Sequence, residues 1–325
     1  MTRIAVASRS FSRHRLLRGE LEARHPDADI TFNDDGLVLA GDGLIAYLRG
    51  HDKAITALEV LTDAVFEALP ELTTISKLGV GFDMLDLDAM RVRGIRLGWT
   101  GGVNKRSVSE LVVSAAIALL RHVPAANREV LDGRWRQQVG NHLSGRTVGI
   151  VGCGHVGQDL APLLKAFGCR VLAHDIRDFP AFYAEHGVEA MALEPLLEAA
   201  DIVTLHLPRD VSTENILSAE RLALMKTGAL LINMARGGLV DETALKTALT
   251  EGRLAGAALD VFANEPPEDR DLVALPNVLV TPHIGGSAEE AILAMGRSAI
   301  EGLENNCVPE PGAHPEGYGG YPAGG

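Results

Sequence analysis

The stretch Val148-Gly-Ile-Val-Gly-Cys-Gly-His-Val-Gly157 determines the expected fold of this chain. An apolar run from Thr147 to Val151 leads directly into the pattern Gly152-x-Gly154-x-x-Gly157. Between a strand and a helix, the first glycine permits a tight turn, the second lets backbone N–H groups approach a pyrophosphate, and the third lets the helix pack closely. The N-terminus of the helix adds partial positive charge. The pattern therefore predicts a dinucleotide-binding βαβ unit.

An acidic residue follows at the position that contacts ribose in such units. After a helical segment, Arg170 to Ala173 is typical of a second strand, and Asp175 comes 23 residues after Gly152. A carboxylate there can accept hydrogen bonds from both ribose hydroxyls and would repel a 2′-phosphate, which favours NAD over NADP. Arg177 weakens this preference slightly. The alternative is a glycine-rich turn that binds no ligand.

Composition limits the remaining possibilities. A chain of 325 residues with 46% apolar and 22% charged residues is typical of a globular protein of about two domains. The net charge of −13 argues against nucleic acid or an anionic membrane as a partner. The three cysteines match no disulfide framework or metal site. The N-terminus is typical of a strand rather than a signal peptide, and no apolar run reaches about 18 residues, so we expect a soluble, cytoplasmic protein.

Strand and helix patterns alternate on both sides of the glycine-rich stretch. The first 98 residues form an α/β region without a phosphate-binding pattern. A long helix follows, and Ser107 to Glu110 has the pattern of a capping box at its start. Beyond Asp175, successive predicted strands end in polar or charged residues, at the sheet edge where open α/β folds bind ligands. The tail from Val308 to Gly325 is rich in proline and glycine, and we expect it to be disordered.

Three of these strand-end residues suit the oxidation of a hydroxyl group. Arg236, Glu265 and His283 each follow a predicted strand. A histidine can accept the hydroxyl proton at neutral pH, a carboxylate behind it fixes its tautomer, and an arginine can bind a substrate carboxylate. Taken singly, they could be a salt-bridge arginine, a solvated loop charge and a hydrogen-bonded loop histidine. Together they favour the interconversion of a 2-hydroxy acid and a 2-oxo acid.

From about Leu58 to Asn305 the chain resembles the D-isomer-specific 2-hydroxyacid dehydrogenases, which include phosphoglycerate, D-lactate and formate dehydrogenases. The resemblance implies two Rossmann-like or flavodoxin-like doubly wound parallel-sheet domains with a cleft between them. It assigns residues 1–98 and 288–325 to a substrate domain and 99–287 to an NAD-binding domain. It also implies a homodimer formed through the NAD-binding domain. The matching segments are Gly79 to Asp83, Gly102 to Glu110, the glycine pattern, His206 to Pro208, Asn233 to Gly237, Leu259 to Phe262 with Glu265-Pro266, and Thr281 to Gly286.

The resemblance also assigns roles to residues. His283 corresponds to the general acid/base, Glu265 to its partner and Arg236 to the substrate-binding arginine. The backbone N–H groups of Val80 and Gly81 would hold the substrate carboxylate. The implied cofactor-binding residues are Gly152, Gly154, His155, Val156, Gly157, Asp175, His206, Pro208, Asn233, Ala235, Asp260 and Gly285, with Asp260 on the nicotinamide amide.

Several positions depart from the family pattern. Trp99-Thr-Gly-Gly102 stands where the family often has Asn-Thr-Pro-Gly, and Thr56 to Val60 carries no cation for a substrate phosphate. Lys77, Lys105 and Arg106 are cations that could compensate. The chain ends before the regulatory domain of some phosphoglycerate dehydrogenases, so we expect a short form. Trp135 has two interpretations, a residue that approaches the cleft of a second copy and a core tryptophan. Two other functions remain open: an NADH-sensing interaction protein, and a dehydrogenase of phosphite or formate.

Overall fold

The chain divides into two compact units. A computed structural model describes residues 1–310. Unit 1 comprises Met1–Asn104 and the chain from Glu289 onward, and unit 2 comprises Lys105–Ala288. The sequence placed these boundaries at 98/99 and 287/288. The predicted disorder of the tail concerns mainly residues after 310, which lie outside the described residues.

Unit 1 contains one sheet of parallel strands. Its first elements are β1 (Arg3–Val6), α1 (Arg9–Arg13), α2 (Arg15–Arg24), β2 (Asp29–Phe32), α3 (Gly41–Leu48), β3 (Lys53–Thr56), α4 (Asp63–Glu67), β4 (Thr74–Lys77), α5 (Leu87–Arg93) and β5 (Arg96–Gly98). The five strands pair in the order β2-β1-β3-β4-β5. Their carboxyl ends therefore share one edge, and the segments after β3 and β4 are neighbours there.

Unit 2 is built on a larger parallel sheet. Its elements are α6 (Lys105–Leu120), α7 (Val123–Leu131), β6 (Thr147–Val151), α8 (His155–Ala166), β7 (Arg170–His174), α9 (Pro180–His186), β8 (Glu189–Ala190), α10 (Leu193–Ala199), β9 (Ile202–Leu205), α11 (Ala219–Leu224), β10 (Leu230–Asn233), α12 (Glu242–Thr250), β11 (Gly256–Leu259), α13 (Arg270–Ala274) and β12 (Val278–Val280). The seven strands pair in the order β12-β11-β10-β9-β6-β7-β8. The strand order reverses at β6 and β9, where doubly wound sheets bind ligands.

The last helix returns the chain to unit 1. Helix α14 (Glu289–Gly302) packs on β4 and β5, and the Ser76 hydroxyl donates a 2.6 Å hydrogen bond to the Ala299 carbonyl. Gly98 and Gly302 face each other so closely that a Cβ at either position would collide with the other residue. The two glycines are therefore what lets this helix lie directly on the sheet.

These two units confirm the predicted α/β class with two parallel sheets. Residues of the central strands are fully buried on both faces, as in Ile4 to Val6 and Leu231 to Ile232, which is why parallel strands are continuous apolar runs. Side-chain caps begin several helices as expected: the Asp241 carboxylate accepts a hydrogen bond from the Ala244 N–H at the start of α12.

The start of α6 differs from the prediction. The helix begins at Lys105, so Ser107 lies inside it and is not its N-cap. The Ser107 hydroxyl instead donates to the Gly285 carbonyl at 2.6 Å and accepts from the Ala288 N–H at 3.3 Å. A contact between residues so distant in sequence overrides the local capping pattern.

Within residues 1–310 no single helix has the length and apolar character to cross a bilayer. Helices α6 and α7, which are bent by 64° relative to each other, meet that criterion only as a pair.

Trp135, which follows α7, is 92% exposed. Its interpretation as a core residue is therefore wrong.

Candidate active site

The glycine turn after β6 has the geometry of a pyrophosphate site. Gly152 has φ +97°, and a Cβ there would lie 2.5 Å from the His206 carbonyl. Gly154 caps the N-terminus of α8, and a Cβ on Gly157 would collide with the Gly152 carbonyl. Helix α8 begins at His155, and the N–H groups in the first turn of any α-helix have no acceptor within the helix. The turn therefore offers a side-chain-free cradle of N–H groups that fits a dinucleotide phosphate.

Asp175 is held beside this turn. Its carboxylate accepts hydrogen bonds from the backbone N–H of Cys153 at 2.7 Å and of Arg177 at 2.8 Å. Both donors are main-chain groups, so the position of the carboxylate is set by the fold. The guanidinium of Arg177 lies over the ring of Phe179, 4.9 Å from its centroid. Asp175 thus presents a carboxylate of fixed position directly after β7.

Cys153 in the turn is a buried filler. Burial, together with the nearby Asp175 carboxylate, raises the pKa of its thiol to about 12. A thiol with such a pKa is protonated at neutral pH and is not a nucleophile.

The segment after β9 lies beside the glycine turn, at the position where the strand order of the sheet reverses. The His206 N–H donates to the Val151 carbonyl at 2.7 Å, and the Nε2 atom of His206 lies 3.0 Å from the Thr204 hydroxyl. Burial lowers the pKa of His206 to about 3, so the ring is neutral. Pro208 follows, with its carbonyl accepting from the Thr213 hydroxyl at 2.8 Å. These bonds fix the main chain beside the glycine turn.

Asn233 shapes the loop that carries Arg236. The side-chain amide of Asn233 donates to the Arg236 carbonyl at 2.9 Å, and its side-chain oxygen accepts from the Ala235 N–H at 3.2 Å. The next residue, Gly237, lies against the Phe262 carbonyl, where a Cβ would collide. Asn233 therefore acts first as a support for the arginine loop, a role that the sequence alone did not reveal.

Asp260 holds the loop that carries His283. It is 1% exposed, and its carboxylate accepts from the Ile284 N–H at 2.8 Å, the Gly285 N–H at 2.7 Å and the Thr281 hydroxyl at 2.5 Å. The Asp260 carbonyl also accepts from the His283 N–H at 2.9 Å. Four bonds from one residue therefore fix the loop, in which His283 has φ +55°. Thr281 is a supporting residue that the sequence analysis missed, although it lies two positions from the predicted histidine.

Glu265 and His283 form the central pair of the site. The Nδ1 atom of His283 lies 2.9 Å from Oε2 of Glu265, and Oε1 of Glu265 accepts from the Phe262 N–H at 3.2 Å. The side chain of Glu265 is 40% exposed and that of His283 is 49% exposed, so a small molecule in solution can reach both. With Nδ1 paired to the carboxylate, Nε2 is the nitrogen that can exchange a proton with a substrate.

A cavity of about 380 Å³ adjoins this pair. It is lined by Asp260, Phe262, Glu265, Pro266, Pro267, Arg270, Val273, Val280, Thr281, Pro282 and His283. Its walls are mainly apolar, and the side chains of Glu265 and His283 form part of them.

Two predicted substrate-binding residues lie in unit 1. Val80 and Gly81 follow β4. Within residues 1–310, neither of their backbone N–H groups donates a hydrogen bond. Both residues are partly exposed.

All other predicted site residues lie in unit 2, and most lie at the carboxyl ends of its strands or in the loops that follow. His155 and Val156 lie in the first turn of α8, Ala235 lies beside Arg236, and Gly285 bonds Asp260. A doubly wound sheet with a glycine turn, a carboxylate held directly after β7 and a Glu–His pair is typical of a dinucleotide-dependent protein of the Rossmann class.

Comparison with known proteins agrees with this class. Residues 113–285 match the family model described as "D-isomer specific 2-hydroxyacid dehydrogenase, NAD binding domain". The D-3-phosphoglycerate dehydrogenase of Mycobacterium tuberculosis is 38% identical over 265 residues, which is 81% of this chain and 50% of that protein. The chain thus spans about half the length of this curated relative.

Solved structures show the same relationship over nearly the whole chain. A Polaromonas structure described as a D-isomer specific 2-hydroxyacid dehydrogenase superposes with a TM-score of 0.85 at 32% identity, covering 94% of this chain and 96% of that chain. The pyruvate reductase of Chlamydomonas reinhardtii superposes with a TM-score of 0.78 at 31% identity, covering 93% and 95%. The chain belongs to the D-isomer-specific 2-hydroxyacid dehydrogenase family. Unit 2 is its NAD-binding domain.

Proposed function

We propose that this protein is an NAD-dependent dehydrogenase that interconverts an (R)-2-hydroxy acid and its 2-oxo acid. The hydrogen bond between Glu265 and Nδ1 of His283 carries the proposal, because a carboxylate at Nδ1 favours the tautomer whose Nε2 can accept a proton. The family match to the NAD-binding domain supports the oxidoreductase class.

The proposed mechanism assigns one task to each side chain. In the oxidative direction Nε2 of His283 accepts the hydroxyl proton, and in the reductive direction it returns this proton to the carbonyl oxygen. Glu265 holds Nδ1–H and stabilises the imidazolium that forms. Arg236 binds the carboxylate and polarises the carbonyl of the substrate. NAD supplies the hydride acceptor and donor at C4 of its nicotinamide.

We further propose that the N–H groups of Val80 and Gly81 bind the substrate carboxylate. Two backbone donors at adjacent positions suit the two oxygens of a carboxylate. Their lack of other acceptors within the described part of the chain supports this assignment.

The substrate that we propose carries no phosphate. The segment Thr56 to Val60, which begins at the end of β3, carries no cation that could bind a phosphate. Its exposed side chains include the apolar Leu58 and Val60, which are 77% and 55% exposed. Of the three cations considered as compensation, Lys77 is buried and donates to the Leu78 carbonyl, and Arg106 pairs with Asp159 at 3.0 Å. Lys105 is exposed at the start of α6, outside unit 1. The similarity to a pyruvate reductase is consistent with an unphosphorylated substrate, although the curated relative from Mycobacterium tuberculosis is named for phosphoglycerate.

We propose a homodimer formed through α7 and the segment that follows it. Exposed apolar side chains concentrate there: Val123, Val130, Leu131, Trp135 and Val139 are 51% to 94% exposed. A patch of this kind indicates an interface, and the occupant that we propose is the same surface of a second copy. Light scattering should give twice the chain mass of 34.5 kDa. Trp135→Glu should shift the mass toward one chain; a monomeric native protein would refute the dimer.

We place the protein in the cytoplasm. The burial of Cys153 and Cys169, together with the absence of a disulfide pattern in the sequence, supports a reducing compartment. Cell fractionation with an antibody against the full chain tests this location.

The deciding experiment follows NADH absorbance with purified protein against a panel of 2-oxo acids. The panel contains glyoxylate, pyruvate, hydroxypyruvate, 3-phosphohydroxypyruvate and longer oxo acids, with NADPH in parallel. We expect NADH oxidation with at least one unphosphorylated member. No turnover across the panel, with NADH binding intact, would refute the proposed reaction and favour an NADH sensor or a substrate such as phosphite or formate.

A further inference from the structure

Trp99 contacts the segment proposed to bind the substrate carboxylate. It follows β5 directly and is 8% exposed. Its indole Nε1–H donates to the Val80 carbonyl at 3.0 Å, and its ring meets the ring of Phe82 edge to face, with centroids 5.4 Å apart. Both contacts lie within unit 1. The indole therefore bonds the segment at Val80 and packs against it at Phe82.

A hydrogen bond to this particular carbonyl also orients an N–H group. The Val80 carbonyl and the Gly81 N–H belong to one peptide unit, which is trans. Because a trans peptide is planar, its C=O and N–H point in opposite directions. When Trp99 holds the carbonyl on one side, the Gly81 N–H is directed to the other side.

The segment needs such a restraint because its backbone is permissive. Glycines flank Val80 on both sides, and Gly79 has φ +102°, a conformation that other residues rarely adopt. Without a fixed partner the Val80–Gly81 peptide could rotate and turn its N–H away from a ligand. A hydrogen bond from a buried, packed indole lowers the ordering cost of ligand binding.

We infer that Trp99 is a positioning residue, which holds the Val80–Gly81 peptide so that its N–H faces the substrate carboxylate. The inference rests on the proposed function, since it requires that this peptide binds a carboxylate. Trp99 is also the first residue of the segment that departs from the usual Asn-Thr-Pro-Gly pattern. At this position the chain therefore carries a large indole whose N–H bonds the adjacent loop.

The test compares two variants. In each variant an aromatic side chain loses the N–H or O–H group that donates a hydrogen bond to the main chain. Trp99→Phe removes the indole N–H and keeps an aromatic ring. Tyr47→Phe is the matched control, because the Tyr47 hydroxyl donates to the carbonyls of Val6 and Thr31 in the same unit, at 3.0 and 3.2 Å. The probe is oxamate, a 2-oxo acid analogue with one carboxylate, titrated into full-length protein saturated with NADH.

We expect Trp99→Phe to weaken oxamate binding about 3- to 10-fold, the size of one net hydrogen bond. The KM of the best 2-oxo acid should rise by the same factor, while kcat stays within about two-fold and NADH affinity is unchanged. Tyr47→Phe should change none of these quantities. Equal oxamate binding by Trp99→Phe and the native protein would overturn the inference, and so would an equal loss in Tyr47→Phe.

A failure of the proposed function would look different. Native protein that neither binds oxamate nor reduces any 2-oxo acid would refute the proposed function and this inference together. Normal native activity with an unaffected Trp99→Phe variant would refute the inference alone.

A second measurement does not depend on the folding of Trp99→Phe. The chain has two tryptophans, so Trp135→Phe leaves a single indole N–H signal in the ¹H–¹⁵N spectrum. We expect this signal to exchange slowly with deuterium and to shift when oxamate binds the NADH complex. A rapidly exchanging signal that oxamate leaves unmoved would contradict the inference.

Discussion

The imidazole of His283 is hydrogen-bonded through Nδ1 to Oε2 of Glu265 at 2.9 Å, across 18 residues of sequence. The two side chains come from the loops after neighbouring strands, β11 and β12. Separate contacts fix each one: Glu265 accepts from the Phe262 N–H, and the His283 main chain is bonded to Asp260. This hydrogen bond uses Nδ1, and Nε2 is the atom that we propose exchanges a proton with the substrate.

Removal of His283 should abolish turnover without loss of cofactor. We expect His283→Ala to lower kcat by about 10²- to 10⁴-fold, because a positioned general acid/base contributes that much. Glu265→Gln should lower kcat less, since the ring keeps a hydrogen-bond acceptor. NADH binding, measured by fluorescence, should stay within a factor of two in both variants.

The control for this prediction is another histidine next to a glutamate. His186→Ala removes a ring that lies 3.8 Å from Glu185, outside the candidate site. Its kcat should equal that of the native protein. Near-native turnover in His283→Ala would contradict the assignment of the acid/base.

Asp175 should determine the choice between NADH and NADPH. Asp175→Asn keeps an oxygen acceptor for the N–H groups of Cys153 and Arg177 but removes the charge. We expect the ratio of the NADPH to NADH dissociation constants to fall by about 10-fold or more, because a full charge near the 2′-position is lost. Asp178→Asn changes an exposed carboxylate in the same loop and should leave the ratio unaltered. An unchanged ratio of the two dissociation constants in Asp175→Asn would show that this carboxylate does not determine the choice between NADH and NADPH.

Two glycine-to-alanine substitutions should have opposite effects on stability. Gly157→Ala places a methyl group against the Gly152 carbonyl and 3.1 Å from Cγ2 of Ile150, so we expect lower stability and loss of NADH binding. Gly19→Ala lies in the exposed interior of α2 with no atom within 4 Å of the added carbon. It should raise the free energy of unfolding by about 0.5–1 kcal/mol. Thermal denaturation and NADH titration measure both; tight NADH binding by Gly157→Ala would contradict the close packing of the turn.

The sequence predicted those parts of the site that depend on local chain geometry. The strand before the glycine turn, Thr147–Val151, has the predicted bounds, because its apolar run and its glycines are adjacent in sequence. Ser107 was assigned wrongly because its partners, Gly285 and Ala288, are remote in sequence. The contact of Trp99 with Val80 was not predicted for the same reason.

The Glu265–His283 pair could be predicted only in part from the sequence. Chemistry and position after strands suggested both residues, but their hydrogen bond depends on the pairing of β11 with β12 and on the support from Asp260. Sequence patterns identify which side chains gather at a sheet edge. The distances between them follow from tertiary contacts that the patterns do not contain.

His206 should make the NAD-binding unit less stable in acid. Burial lowers its pKa in the folded chain to about 3, below the ordinary value of 6.5, and its Nδ1 atom has no hydrogen-bond partner among the described residues. Between these two values the unfolded chain binds a proton that the folded chain does not. The free energy of unfolding should therefore fall as the pH drops below 6.5, by about 1.4 kcal/mol per pH unit from this residue.

Urea denaturation of the native protein and of His206→Gln between pH 4.5 and 7.5 tests this dependence. Carboxylates contribute to both curves, so the difference between the curves isolates the histidine. We expect the slope of His206→Gln to be shallower by nearly one proton below about pH 5.5 and to approach the native slope at about pH 7.5. Parallel curves for the native protein and His206→Gln would show that His206 is protonated as readily in the folded chain as in the unfolded one.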